Sequence, residues 1–278
     1  AAPRYFAKAI KLGDLMQISG AFGQVQGALS YFIDAYGSLA SWRAIMDRLH
    51  GFEKAISDAG NLPVLTRNDK PTNYLSVNNL SLSLPNQEIL LKDISFKLDS
   101  GDRLLIKGAS GSGKTTLLRA LAGLWPFASG EVSQNHAKTE MFIAQRPYMP
   151  QVSLRQAICY PLTTNLPDDT ELLTIMRECG LAYLQSRLDE EVDWGKVLSL
   201  GEQQRVAFAR VLVNHPDIIY LDEASSALDE AMEAHLYHVL SERLPQSAII
   251  SVGHRSTLDA WHNQQITINR NRELNGSI

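Results

Sequence analysis

Residues Gly108 to Thr115 read Gly-Ala-Ser-Gly-Ser-Gly-Lys-Thr, which fits a phosphate-binding pattern: a glycine, four residues, then Gly-Lys-Ser/Thr. The residue types explain the chemistry. Gly111 and Gly113 let backbone amides curl around phosphate oxygens. Lys114 offers a point charge to the β and γ phosphates of ATP, and Thr115 offers a hydroxyl to magnesium. Gly108, Ala109, Ser110, Ser112 and Thr116 complete the expected ATP-binding loop. A plain glycine-rich turn is the bland alternative. The flanks argue against it: "RLLIK" reads as an apolar strand and "TTLLRALAGL" as a helix, the context this pattern requires.

Two acidic residues, Asp222 and Glu223, follow the apolar run Ile218 to Leu221. Such a run reads as a buried parallel strand, and open α/β sheets bind ligands at the carboxyl ends of their strands. Asp222 is therefore expected to serve magnesium, and Glu223 to orient or deprotonate an attacking water. His254 stands just past another run, Ala248 to Val252. A lone histidine at a strand end is usually structural, but a shared sheet edge gives this one a functional reading.

The stretch "VLSLGEQQRVAFAR" reads as a helix start, with Ser199 as N-cap and Glu202 three residues on, as a capping box requires. The other reading is that Ser199 and the amides around Gly201 hold a phosphate, since helix N-termini attract anions. These residues alone leave both open.

The elements that must position these residues divide the chain into 1–59, a linker at 60–73, and a nucleotide-binding domain at 74–278. In the last, Leu80, Leu82 and Leu84 alternate before "PNQ", and Ile94, Phe96 and Leu98 before "DSGD", as in an antiparallel meander. Residues Ser153 to Val197, with a helix near Thr170 to Cys179, are expected to form a helical subdomain. The linker segment "GNLPVLTRNDKPTN" has two prolines and little periodicity. Before it, Asp34 is the one charged residue from Leu15 to Trp42, while Leu15, Ile18, Phe22, Val25, Leu29 and Phe32 recur in steps of three and four. Such a seam packs against other helices. A helix from Leu12 to Asp58 would be about 70 Å long at roughly 1.5 Å per residue, against about 30 Å of bilayer hydrocarbon. Gln17, Gln24, Gln26 and Ser30 suit a face that lines a wet cavity. The bare residues fit a membrane helix and a soluble coiled-coil helix alike.

The 278 residues carry a formal charge of −4, which gives no sign of a nucleic-acid partner. The two cysteines, Cys159 and Cys179, fit no disulfide or metal spacing, so a reducing compartment is expected. The chain begins "AAPRYF", without methionine, as a piece of a longer protein would.

Taken in order, these motifs resemble the ATP-binding cassette (ABC) family from about Tyr74 onward. "GASGSGKTT" is similar to its phosphate loop, Gln145 in "FIAQRPYMP" to its Q-loop, "LSLGEQQR" to its signature, "IIYLDE" to its Walker B strand, Asp229 in "SALD" to its D-loop, and His254 to its switch histidine. The resemblance implies an α/β fold: a RecA-like P-loop core with an antiparallel β subdomain and a helical subdomain, here preceded by a long transmembrane helix. It implies ATP and Mg2+ as ligands, with Thr115, Gln145 and Asp222 at the metal and Glu223, His254 and Gln145 in catalysis. Ser199, Gly201 and Glu202 would meet the ATP of a second copy in a head-to-tail homodimer. Two departures stand out: Leu200 and Glu202 replace the usual glycine and glutamine of the signature, and Leu84 stands where an aromatic residue usually stacks on adenine. "GLWP", "RPYMP" and the N-terminal helix resemble a subgroup of half-transporters that includes peroxisomal acyl-CoA carriers and bacterial peptide- or cobalamin-linked permease–ATPase fusions. The implied whole is a plasma (inner) membrane transporter with upstream transmembrane helices and its ATPase in the cytoplasm. The rivals are a soluble cassette ATPase and a non-hydrolysing, nucleotide-gated module.

Overall fold

The computed structural model describes residues 2–7, 9, 11–60, 65, 67–69, 75–134, 138–268 and 274–275. Tyr74 and most of 60–73 lie outside them. The chain divides into two compact units, Ala1–Leu62 and Pro63–Ile278.

The first unit holds helices α1 (Ala2–Phe6) and α2 (Leu12–Gly60). The long helix forms, but the expected transmembrane span is corrected: among the described residues no helix is long and apolar enough to cross a membrane. Gln17, Ser19, Gln24, Gln26 and Ser30 interrupt the apolar stretches of α2, and each polar side chain adds to the cost of leaving water. Phe22, Leu29, Tyr36, Trp42 and Phe52 are exposed along it.

The second unit opens with β1 (Arg67–Asp69), β2 (Leu75–Ser83), β3 (Ile89–Leu98) and β4 (Arg103–Gly108). Then come α3 (Lys114–Leu121), β5 (Ala128–Gln134) and β6 (Glu140–Ile143). A helical stretch follows: α4 (Leu154–Cys159), α5 (Asp169–Glu178), α6 (Trp194–Val197) and α7 (Leu200–Asn214). The chain continues with β7 (Ile218–Asp222), α8 (Glu230–Arg243), β8 (Ala248–Val252), β9 (Gln264–Ile268) and β10 (Leu274–Asn275).

One sheet runs β1-β5-β2-β3, with β2 antiparallel to β3 and β5. Its first strand lies inside the expected linker and pairs parallel to β5. The larger sheet runs β10-β9-β4-β8-β7-β6, parallel from β9 to β6. The carboxyl ends of β4, β6, β7 and β8 therefore share one edge. Alternation carries side chains to both faces. Leu105, Ile219 and Ile249 enter one core, while Leu104, Tyr220 and Ile250 enter the other. Burial on both faces is why these strands read as unbroken apolar runs. Asp168 caps α5 by accepting from the Glu171 amide at 2.8 Å, and the helix turns Leu172, Ile175 and Met176 inward. Both cysteines are free and buried.

A polar relay crosses the first of these cores. Tyr237 Oη donates to Ser251 Oγ at 3.1 Å, Ser251 lies 2.8 Å from His262 Nε2, and His262 Nδ1 lies 2.7 Å from the Leu258 carbonyl. A carbonyl only accepts, so Nδ1 carries the proton and Nε2 accepts from Ser251. Burial lowers the His262 pKa to about 4. The unfolded chain then takes up this proton near pH 6.5 and the folded chain does not until about pH 4. Stability should fall as pH drops through that window, by roughly 3 kcal/mol from this group. Urea melts of His262→Gln should show a flatter pH dependence between 6.5 and 4; an unchanged slope would remove His262 as its source.

Candidate nucleotide site

The phosphate loop turns between β4 and α3. Gly113 is the N-cap of α3 with φ 100°, a left-handed conformation that strains any side chain. Gly111 has φ 73°, and a Cβ there would meet nothing within 4 Å, so its backbone lies open to the cleft. The cavity beside the loop is about 360 Å³ and is lined by Ser110, Gly111 and Gly113 to Thr116 of the loop, together with Leu84, Leu90 and Glu223. The Lys114 ammonium is buried and donates to the carbonyls of Gly108 at 3.0 Å and Ala109 at 2.8 Å. Burial pushes its pKa down, against the pull of Glu223 and Asp222. Ser112 Oγ is buried without a hydrogen-bond partner.

Thr115 Oγ1 donates to Asp222 Oδ1 at 2.8 Å. Burial raises the Asp222 pKa, and the Thr115 hydrogen bond opposes it. Glu223, the next residue, has φ 49° and gives its amide to the Val252 carbonyl. That left-handed turn at the end of β7 is costly for a glutamate and sends its carboxylate along the sheet edge. There Glu223 accepts from Gln145 Nε2 at 3.0 Å and lies 3.3 Å from His254 Nε2. Three sheet-edge positions thus meet at one carboxylate: Gln145 beyond β6, Glu223 beyond β7 and His254 beyond β8. In this arrangement Gln145 is bonded to Glu223, while Thr115 and Asp222 are bonded to each other.

Ser199, Gly201 and Glu202 are not among the described residues lining the cavity. Ser199 caps α7 in a full capping box: the Glu202 amide donates to Ser199 Oγ at 3.3 Å, and the Ser199 amide to Glu202 Oε2 at 2.8 Å. Ser199 Oγ also donates to Glu202 Oε2 at 2.6 Å, and Tyr183 Oη to Glu202 Oε1. Burial pushes the Glu202 pKa up, but the Ser199 and Tyr183 hydrogen bonds and Arg205 outweigh it and leave it lowered. The acidic replacement is thus fully engaged within its own helix start. Asp229 caps α8, accepting from the Met232 amide at 2.7 Å. Sequence reasoning missed Gln204. It is fully buried on α7, donates to the Gln145 carbonyl at 2.9 Å and accepts from the Ala227 amide at 3.0 Å, tying three functional segments together. A glutamine inside an otherwise apolar helix face was the available signal.

Residues 91–226 match the family described as "ABC transporter". The chain carries an ABC transporter ATP-binding domain. Ahead of this ABC domain, residues 1–57 match the SbmA/BacA-like family. Relatives carry corresponding names. An uncharacterized ABC transporter ATP-binding protein of Haemophilus influenzae is 41% identical over 270 residues, 96% of this chain and 45% of the relative. The inner membrane ABC transporter ATP-binding protein YddA of Escherichia coli is 35% identical over 256 residues, 91% of this chain and 44% of YddA. The human lysosomal cobalamin transporter ABCD4 is 40% identical over 197 residues, 66% of this chain and 32% of ABCD4. The chain spans less than half the length of each of these relatives.

Proposed function

We propose that this ABC domain binds ATP with magnesium and hydrolyses it to drive transport across a membrane. The observation that carries the reading is Glu223, held between Gln145 and His254 beside an open phosphate loop. On ATP binding, Lys114 exchanges two loop carbonyls for the β and γ phosphates, stronger acceptors for an ammonium. The Thr115 hydroxyl and Asp222 carboxylate fit a hard cation that takes few protein ligands and completes its shell with phosphate oxygens and water. Among the described residues no group of three or more His, Cys, Asp and Glu side chains could hold a metal ion. Magnesium bound there supplies neutralisation of charge on the β and γ oxygens. Glu223 orients the attacking water and accepts its proton, and His254 and Gln145 fix the carboxylate's direction. Gln145 reaches the metal only by turning from Glu223. Phosphate release by the purified chain with ATP and Mg2+ tests the reading; binding without release would favour the nucleotide-gated module instead.

Transport, pairing and location rest on the whole protein. The domain works as a head-to-tail homodimer in which Ser199, Gly201 and Glu202 meet the partner's nucleotide, with Asp229 in the D-loop, and closure pulls on helices upstream of the cassette. The SbmA/BacA-like match and the printed name of the YddA relative support a plasma (inner) membrane setting with the ATPase on the cytoplasmic side. The proposed division of the chain is a helical segment at 1–59, a linker at 60–73 and the nucleotide-binding domain at 74–278.

Leu84 lies beside the loop where an aromatic residue would stack on adenine. Leu84→Tyr should tighten ATP binding by about 1 kcal/mol, roughly fivefold. Titration with a fluorescent ATP analogue checks it; unchanged or weaker affinity would mean that Leu84 does not face the base.

A further inference from the structure

Behind His254 lies a buried carboxylate that the proposed reaction does not use. Glu233 sits on α8 and is 1% exposed. Three donors converge on it from two other segments. Ser225 Oγ donates at 2.5 Å from the stretch that joins Glu223 to Asp229. Thr257 Oγ1 donates at 2.6 Å, and Arg255 Nη1 lies 3.6 Å away, both from the stretch just after His254. The Arg255 guanidinium reaches back to the first stretch, donating to the Leu228 carbonyl at 2.8 Å and the Ser226 carbonyl at 3.2 Å. Ser225, Ser226, Glu233 and Arg255 line a cavity of about 100 Å³ together with Glu223 and His254.

Burying a carboxylate is costly, and an ion pair in the interior often gives no net stability over apolar packing. What such a cluster does supply is a fixed relation between the segments it joins. Here the segments carry Glu223 and Asp229 on one side and His254 on the other. We propose that Glu233 is a positioning residue that sets the distance between Glu223 and His254 by clamping these two loops to α8. The proposal rests on the hydrolytic reading only for its effect on turnover. The clamp itself is a property of the nucleotide-free chain.

The test therefore begins without nucleotide. Hydrogen exchange of the full chain should show Glu233→Gln loosening 224–229 and 253–258 together, at least tenfold faster than wild type, with β4, β7 and α7 unchanged. Thr257→Val, which removes one donor from the far loop, should give the same pattern at smaller size, and Thr257→Ser should restore protection. This pair keeps the test decisive if Glu233→Gln does not fold. In ATP turnover, Glu233→Gln and Thr257→Val should lower kcat with KM within twofold, because the phosphate loop is not touched. Exchange that rises uniformly, or that does not rise in both loops, overturns the clamp. A Thr257→Ser variant as loose as Thr257→Val overturns it too. Absence of hydrolysis by the wild type would sink the hydrolytic reading and leave the exchange result to decide the clamp.

Discussion

Glu223→Gln is expected to bind ATP as tightly as the wild-type chain and to release phosphate about 10²–10⁴-fold more slowly, the range that a positioned general base contributes. The two effects separate because the groups that hold the phosphates and those that act on water are different. Lys114, Thr115 and the loop amides are untouched by the change. The amide that replaces the carboxylate is nearly the same size and can still face Gln145 and His254, now 3.0 and 3.3 Å from Glu223. It cannot take a proton from water. The substitution also lifts a negative charge that draws on Lys114, so ATP affinity should hold or improve. Binding by fluorescence and single-turnover phosphate release, measured on the same preparation, give the two numbers. Turnover within threefold of wild type would remove Glu223 from the catalytic role. Loss of binding as well would mean that the residue holds nucleotide.

Parts of this site were legible in the sequence because they are coded locally. A strand, a glycine loop and a helix are contiguous from Arg103 to Leu121, so spacing alone implies the turn that bares the loop amides. The runs at Ile218 and Ala248 could be read as buried strands because both faces of the sheet are covered. What was not legible depends on contacts between distant segments. Gln204 and Glu233 look like ordinary polar residues on helices, and only the packing of α7 and α8 against the sheet-edge loops buries them. The extended residues at Arg67 were hidden by the prolines around them, and their pairing is made by β5, more than sixty positions on. The helix α2 shows the opposite failure. Its heptad seam was plain, but a seam reports packing, and membrane crossing also needs an unbroken apolar length that its glutamines and serines deny.

The signature stretch is where local and long-range readings compete most directly, and a mixing experiment separates them. Ser199→Arg and Lys114→Ala should each abolish ATP occlusion alone and restore it when combined. In the single chain the Ser199 hydroxyl is spent on Glu202, and its capping role is complete without any phosphate. Removing such a cap costs about 1 kcal/mol, which a thermal melt should register and which leaves the fold in place. If Ser199 also serves the partner's ATP, each homodimer is dead at both sites, one for want of a signature and the other for want of a phosphate-loop lysine. A heterodimer has one site that joins the intact Lys114 of one chain to the intact Ser199 of the other, while its second site carries both lesions. With unbiased exchange about half of the dimers are of this kind, so roughly a quarter of all sites should occlude nucleotide. Occlusion is the better measurement, because turnover can require both sites at once. For a phosphate to take the Ser199 hydroxyl, Glu202 must release it, and Tyr183 stands ready to keep the carboxylate's other oxygen turned away. Tyr183→Phe should therefore reduce occlusion at every site that uses Ser199, both in the mixture and in dimers that carry neither Ser199→Arg nor Lys114→Ala. Mixed subunits that exchange, as followed by energy transfer between labelled chains, yet gain no occlusion would confine Ser199 to its own helix.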